Sequence, residues 1–381
     1  MSFSSLSVVV AGGGTAGHIE PALAVAEVLR DSYGAQVRAL GTARGLETTI
    51  VPARGFELSL IDPVPIPRGK PWKLFGVPAK LAKSVNQTRR ILKGAGAQVV
   101  FGTGGYVAAS AYLAAKSLGL PFFVLETNAL AGMANKLGVR LGGIGLNAVA
   151  NSGMPGDVVG IPVRPGVGVD LDGAKAERGY RMWDLDPARP TLLVTGGSQG
   201  AVSINTALAG AVERLIGEGF QVLHAYGRKN DAPAPHPGYT AVPYIDDMEA
   251  AYAVADAVLC RSGAMTVAEN SAAGLPAIYV PLPHGNGEQG LNSAHLVSAG
   301  AALRIDDSAL TPDALYTAVN DVLANPERTA LMRHALAETG AGEVAEDIAR
   351  RIAEAAGAAE SAAESAKEKL RRLRNHDATR S

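Results

Sequence analysis

Cysteine is all but absent from this chain of 381 residues. Cys260 stands alone, which excludes an internal disulfide framework and any cysteine-rich zinc site. Aromatic residues are sparse at 5%, and charged residues make up 19%, too few for a chain kept unfolded by its own charge. Neither sign of charge dominates: 35 Lys and Arg against 36 Asp and Glu leave a formal net charge of −1. That balance argues against a surface given over to nucleic acid, while permitting a local basic patch. No apolar run reaches the roughly 18 residues of a membrane span. The opening MSFSSLSVVVAGGG lacks the basic region and long apolar stretch of a secretory signal, so a soluble protein of the cytoplasm is expected.

Apolar residues, at 47%, are plentiful, and 45 glycines and 22 prolines imply many tight loops between short elements. The length suits two cores better than one. Ser7–Ala11 is a β-branched run bounded by glycines and reads as a buried parallel strand. A helical pattern follows in HIEPALAVAEVLRDS, with Ile19, Leu23, Ala26 and Arg30 on one face and Pro21 expected in its first turn. Further strands are expected at 36–40, 98–101 and 122–125. Strand and helix alternating in this way predict an α/β fold with a parallel sheet and functional loops at the carboxyl ends of its strands. After a Gly-, Pro- and Asp-rich stretch at 160–190 the pattern restarts, with a strand at 191–195 and a helix over 203–216. The segments VVVAGGGTAG (8–17) and LLVTGGSQGA (192–201) echo each other, each a strand running into a glycine turn. Two Rossmann-like halves are expected, with domains at 1–163 and 164–350 and a terminal helix with a disordered tail at 351–381.

Gly12, Gly14 and Gly17 have the G-x-G-x-x-G spacing of loops that hold a pyrophosphate at a helix N-terminus. A dehydrogenase would place an acidic residue at the end of the second strand. Here that strand ends Leu40-Gly41-Thr42, with no carboxylate before Glu47, although Arg44 could serve an NADP phosphate. The glycines could also do no more than permit a sharp turn. His18 follows directly, at or near the helix start. The positive end of a helix favours a neutral imidazole, which suits a general base, but a residue there could equally cap the helix.

Glycine turns also follow strands at 102–105, 196–200 and 262–266. In SGAMTVAEN, Ser262 or Thr266 could cap a helix whose Glu269 merely stabilises it. Alternatively, amides at 264–266 take a phosphate while Glu269 reaches sugar hydroxyls. Two such cradles suit a nucleotide diphosphate donor and a phosphorylated acceptor. Without a G-K-[ST] triplet, a nucleotide-hydrolysing P-loop is disfavoured. The run HGNGEQGLN holds His284, Asn286, Glu288, Gln289 and Asn292, side chains able to bond several hydroxyls, and their spacing is not that of a zinc site. Residues 63–93 carry Arg68, Lys70, Lys73, Lys80, Lys83, Arg89, Arg90 and Lys93 with no acid, and Trp72, Leu74, Phe75 and Val77 lie among them.

Taken in order, GGGTAGHIEPALA, FGTGGYVAASAYLA, TNALAGMANKL, GIPVR, GGSQGA and ADAVLCRSGAMTVAENSAAGLPAIYVPLPHGNGEQGLNSA resemble the bacterial MurG family of peptidoglycan glycosyltransferases. The resemblance runs from about residue 8 to 350. It implies two Rossmann-like domains across a cleft, the B-type glycosyltransferase fold. It also implies transfer of N-acetylglucosamine from UDP-GlcNAc to lipid I, without an obligatory metal or other cofactor. By that resemblance Thr15, Ala16, Gly17 and Asn128 line the amino-terminal side of the cleft, and Arg164 and Ser198 stand near the donor diphosphate. Tyr244 and Ile245 would hold uracil. Ala264, Met265, Thr266, Val267, Ala268 and Glu269 would form the phosphate loop and ribose reader, and Glu288 with Gln289 the sugar site. His18 is the first candidate for the base and Glu126 the second.

Three departures from the family pattern stand out. Ala16 replaces a common glycine, Leu125-Glu126-Thr127 replaces His-Glu-Gln, and Glu288 replaces a glutamine. With a lipid acceptor, Lys70, Trp72, Lys73, Leu74, Phe75 and Lys80 become a patch for an anionic membrane surface, giving a peripheral protein on the cytoplasmic face of the plasma membrane. Other cell-wall synthesis proteins are expected as partners. The alternatives are another UDP-sugar enzyme of this fold, such as a glycolipid glycosyltransferase or a UDP-sugar 2-epimerase, an NADP oxidoreductase, or a non-catalytic scaffold.

Overall fold

The computed structural model describes residues 6–64, 77–197, 199–283, 287–339 and 343–357. The expected membrane residues Lys70, Trp72, Lys73, Leu74 and Phe75 lie outside that range, as do Ser198, His284, Asn286 and the tail from 358. The chain divides into two compact units, Met1–Arg164 with Val344–Ser381, and Pro165–Glu343.

The first unit alternates strand and helix: β1 (Ser7–Gly12), α1 (Ala16–Tyr33), β2 (Gln36–Gly41), α2 (Glu47–Ala53), β3 (Glu57–Leu60), α3 (Val77–Gly94), β4 (Val99–Gly104), α4 (Gly105–Leu118), β5 (Phe122–Glu126), α5 (Met133–Arg140), β6 (Ile144–Asn147) and β7 (Asp157–Val158). Its sheet has the order β3-β2-β1-β4-β5-β6-β7, every pair parallel. The central strands β1, β4 and β5 are buried along their whole length, as β-branched and aromatic runs covered by helices on both faces must be. Helix α1 starts two residues before His18, so Pro21 falls inside it rather than in the first turn. Its missing N–H therefore removes one bond of the ladder, to the carbonyl of Gly17.

The second unit repeats the plan: α6 (Ala174–Trp183), β8 (Thr191–Thr195), α7 (Val202–Ala209), α8 (Val212–Gly217), β9 (Gln221–Ala225), β10 (Tyr239–Val242), α9 (Met248–Val254), β11 (Ala257–Cys260), α10 (Ala264–Ala272), β12 (Ala277–Tyr279), α11 (Glu288–Asn292), α12 (Ala294–Ser298), β13 (Ala302–Arg304), α13 (Pro312–Leu323) and α14 (Pro326–Glu338). The sheet order is β10-β9-β8-β11-β12-β13, again all parallel. The single helix expected over 203–216 is broken at Gly210, where the ring of Pro312 packs so closely that a Cβ would stand 2.7 Å from its Cγ.

A last helix, α15 (344–357), returns to the first unit, although the sequence reading ran the second domain to 350. Its Val344, Ala345, Ile348, Ala349, Ile352 and Ala356 share one face and join Ile19, Leu23, Val25 and Leu29 of α1 in one core against β1 and β4. Helices α3 and α4 cover the opposite face of that sheet. No helix of the described residues is long and apolar enough to cross a membrane.

Candidate active site

In an open parallel sheet, ligands bind beyond the carboxyl ends of the strands where the strand order reverses. That point lies between β1 and β4 in the first unit and between β8 and β11 in the second. The four glycine turns found in the sequence follow these four strands.

In the first unit, Thr15 takes the N-cap position of α1 in an extended conformation, and its side chain makes no capping bond. Gly14, Thr15 and Ala16 are exposed, with Gly17 and His18 half-buried behind them. The first N–H groups of a helix have no partner within it, so this end suits an anion. His18 is fixed on several sides. Its Nδ1 lies 3.3 Å from Thr15 Oγ1 and 3.3 Å from the carbonyl of Gly13. Its own carbonyl accepts from Thr103 Oγ1 at 2.5 Å. The ring packs on the turn after β4, where a Cβ on Gly104 would stand 3.0 Å from Cδ2 and 3.1 Å from Nε2. With φ of +115° as well, position 104 requires glycine. The turn 102–105 thus belongs to the His18 site, followed by a half-exposed Tyr106; the sequence reading assigned it no part.

Glu126, the second candidate base, is 2% exposed at the end of β5. One carboxylate oxygen accepts from the amide of Asn128 at 2.9 Å and from its Nδ2 at 3.4 Å. The other accepts from the amide of Gly132 and from Asn135 Nδ2, each at 2.9 Å. Four donors occupy the carboxylate's acceptor directions. The geometry makes Glu126 the organiser of the loop that carries Asn128. Tyr112 extends this buried network, donating to Asn135 Oδ1 at 3.0 Å.

In the second unit, α10 begins directly after Gly263, again without a side-chain cap. Neither Ser262 nor Thr266 plays that part. The buried Ser262 hydroxyl donates to the carbonyl of Gln289 at 2.8 Å, and Asn292 Nδ2 donates to the carbonyl of Ser262 at 3.2 Å. These bonds tie the loop to α11, which carries Glu288 and Gln289, both half-buried. The amides of Ala264, Met265 and Thr266 are the first of the helix and lack partners within it. Val267 turns its side chain into the core, and Ala268 is half-buried. One turn on, Glu269 accepts from the phenol of Tyr252 at 2.9 Å. Gln289 Oε1 accepts from the amide of Leu282 at 3.0 Å.

Ile245 is buried, whereas the Tyr244 ring is 39% exposed with the Arg228 guanidinium carbon 4.4 Å from its centroid. Arg164 is half-buried and closes the first stretch of the first unit. Arg261 braces the start of the 262–266 turn. It pairs with Asp307 at 2.5 Å and donates to Ser203 Oγ at 2.9 Å and to the carbonyls of Val280 and Pro281 at 3.1 and 3.2 Å. Its position in Cys260-Arg261-Ser262-Gly263 was the available signal, but its partners are distant in sequence.

Two Asp-x-Asp triplets occur, at 170–172 and 184–186, a spacing able to bracket a divalent ion. Three of these carboxylates serve local turns: Asp170 accepts from the amide of Ala176, Asp172 from that of Ala174, and Asp186 from that of Ala188. Among the described residues no group of three or more His, Cys, Asp or Glu side chains is placed to hold a metal ion.

Two parallel sheets, each carrying an uncapped glycine turn at its switch point, one beside an imidazole and the other beside a carboxylate, are the arrangement of the B-type glycosyltransferase fold. Known proteins agree. The glycosyltransferase family 28 N-terminal domain matches residues 8–141, and the family 28 C-terminal domain matches residues 191–352. A Corynebacterium efficiens protein is 62% identical over 340 residues, covering 89% of this chain and 94% of that protein. It is named UDP-N-acetylglucosamine--N-acetylmuramyl-(pentapeptide) pyrophosphoryl-undecaprenol N-acetylglucosamine transferase. A protein of the same name from Mycobacterium avium is 49% identical, covering 90% of this chain and 87% of its own. Among solved structures, Acinetobacter baumannii MurG superposes with a TM-score of 0.71 at 30% identity, covering 92% of this chain and 99% of that one. The calicheamicin glycosyltransferase CalG4 shares the fold alone, at a TM-score of 0.66 and 18% identity over 92% of this chain and 99% of its own. The chain belongs to glycosyltransferase family 28, within its MurG branch.

Proposed function

We propose that this protein transfers N-acetylglucosamine from UDP-GlcNAc to the C4 hydroxyl of the N-acetylmuramoyl unit of undecaprenyl-linked lipid I, forming lipid II. The observation that carries this reading is the near full-length likeness to the corynebacterial transferases, which runs through both units. The reaction is a single inverting displacement. The acceptor hydroxyl gives its proton to Nε2 of His18 as its oxygen bonds to the anomeric carbon. The bond from that carbon to the UDP oxygen breaks, and UDP leaves with the electron pair on the face opposite the attack.

Donor recognition falls to the second unit. The amides of Ala264, Met265 and Thr266 stabilise the departing diphosphate electrostatically, with Arg164 and Ser198 as further candidates. Glu269 reads the ribose, Tyr244 and Ile245 hold the uracil, and Glu288 and Gln289 read the sugar. Thr15, Ala16, Gly17 and Asn128 contact the acceptor. The loop amides and the charge of Arg164 take the place of a divalent ion at the diphosphate, so no metal is required. Attachment to the membrane is peripheral, at its cytoplasmic face, through the basic and aromatic sequence around Trp72 and through Lys80, which is exposed on α3.

Transfer of labelled sugar from UDP-GlcNAc to a short-chain lipid I analogue, run in EDTA beside His18→Ala and Glu269→Ala, tests this. A disaccharide-lipid product that forms in EDTA and is lost in both variants is expected. A folded protein that binds UDP-GlcNAc and leaves the analogue untouched would point to another acceptor. Sedimentation with anionic but not neutral vesicles, weakened in a variant with Lys70, Lys73 and Lys80 changed to Glu, is the expected membrane behaviour.

A further inference from the structure

The peptide joining Gly13 to Gly14 is held at both ends. Its N–H donates to Oε2 of Glu47 at 3.1 Å, and its C=O stands 3.3 Å from Nδ1 of His18. A trans peptide is planar, with N–H and C=O on opposite sides, so whatever fixes one end fixes the other. Between two glycines this plane would otherwise turn over at little cost. Turned over, it would offer His18 a donor in place of an acceptor.

Glu47 is built into this position. It opens α2 and is fully buried, and its Oε1 accepts from the amide of Thr42 at 2.8 Å and from the Thr42 hydroxyl at 3.0 Å. Gly45 exists for its sake: a Cβ there would fall on the Glu47 carboxylate. Burial pushes the carboxyl up, but the amides of Thr42, Glu47 itself and Gly14, with the Thr42 hydroxyl, outweigh it and hold the group below the ordinary carboxylate range. An anion is therefore fixed beneath the glycine loop, in a motif, Gly41-Thr42-x-x-Gly45-x-Glu47, that the transfer reaction leaves unused.

We propose that Glu47 is a positioning residue for His18, setting its tautomer through the Gly13–Gly14 peptide. A carbonyl oxygen can only accept, so the contact with Gly13 places the imidazole proton on Nδ1 and leaves the lone pair on Nε2. The nearby carboxylate polarises the peptide and strengthens that preference. Nε2 lies against Gly104, which has no side chain to cover it. The arrangement does through one peptide what a directly bonded carboxylate does for the histidine of a hydrolase triad. The catalytic half of the proposal rests on His18 being the base of the transfer reaction.

The test uses full-length protein labelled with ¹⁵N in histidine, with His18→Ala identifying the His18 signals. Wild type is expected to show a protonated Nδ1 and an unprotonated Nε2 at His18. Glu47→Gln keeps the volume and one acceptor but removes the charge. It is expected to mix the two tautomers and lower kcat by about 10- to 100-fold, part of what a placed base supplies. KM for UDP-GlcNAc, set in the other unit, stays the same. Glu47→Asp, too short to reach Thr42 and Gly14 together, shifts the tautomer in the same direction and decides the matter if Glu47→Gln does not fold. An unchanged tautomer in both variants overturns the proposal while leaving His18 as the base; a protonated Nε2 in wild type overturns it and the delivery of the acceptor proton to Nε2 with it. Transfer that survives His18→Ala overturns the catalytic half together with the reading it rests on.

Discussion

Tyr252 donates its phenolic hydrogen to Oε2 of Glu269 across 2.9 Å, joining α9 to α10, the helix that begins at the 262–266 turn. The phenol is buried, and burial with the adjoining Glu269 carboxylate pushes its pKa well above the ordinary value, so it remains a donor throughout the working range. Tyr252→Phe removes one hydrogen bond to a charged group, an effect of about 1.5 kcal/mol or more. About tenfold weaker UDP binding is expected, together with a smaller preference for UDP over 2′-deoxy-UDP; calorimetric titration of both nucleotides checks it. An unchanged preference would remove Glu269 from ribose recognition.

His224 lies buried in β9, with Nδ1 2.6 Å from the Tyr239 hydroxyl and Nε2 3.1 Å from Asn205 Oδ1. Burial lowers its pKa to about 4 from an ordinary 6.5, and pushes that of Tyr239 up to about 12. Above pH 6.5 the imidazole is neutral both folded and unfolded. Below it, the unfolded chain takes up a proton first, so stability declines as pH falls from 6.5 towards 4. The loss approaches about 3 kcal/mol at the lower end. Urea unfolding of the second unit at pH 7 and pH 5 should show this slope, and His224→Gln should flatten it.

Glu126 holds its loop by four hydrogen bonds, and the expected consequence differs from that of losing a base. Glu126→Gln must turn an amide donor towards two of the four donors now bonded to the carboxylate, which costs about 1–3 kcal/mol in the first unit. Steady-state kinetics should show a raised KM for the lipid acceptor, with UDP affinity unchanged. A fall in kcat of about 100-fold or more with KM constant would restore Glu126 as a base.

Ile352 of α15 is fully buried in the core of the first unit. Ile352→Ala should destabilise that unit by about 2–5 kcal/mol. A chain ending at residue 343 should leave the first unit unfolded while the second still binds UDP. Thermal unfolding with and without UDP distinguishes the two units, because the nucleotide stabilises only the one that binds it.

The alternation of strand and helix in two halves, the glycine turns that end β1, β4, β8 and β11, and the placing of His18 just inside a helix were legible in the sequence. Each depends on neighbours along the chain: apolar period, turn chemistry and the geometry of a helix start. The family itself was legible too, as an ordered set of motifs. What the tertiary structure decided are the partnerships across sequence. Glu47 meets Gly14 from 33 residues away, Tyr252 meets Glu269 from 17, and α15 leaves the unit that precedes it for the core of the first. Glu126 reads in sequence as a second candidate base. Only folding surrounds it with four donors. An apolar pattern encodes which face of an element is buried but not what lies opposite, and the strand order of each sheet determines which loops meet at its switch point.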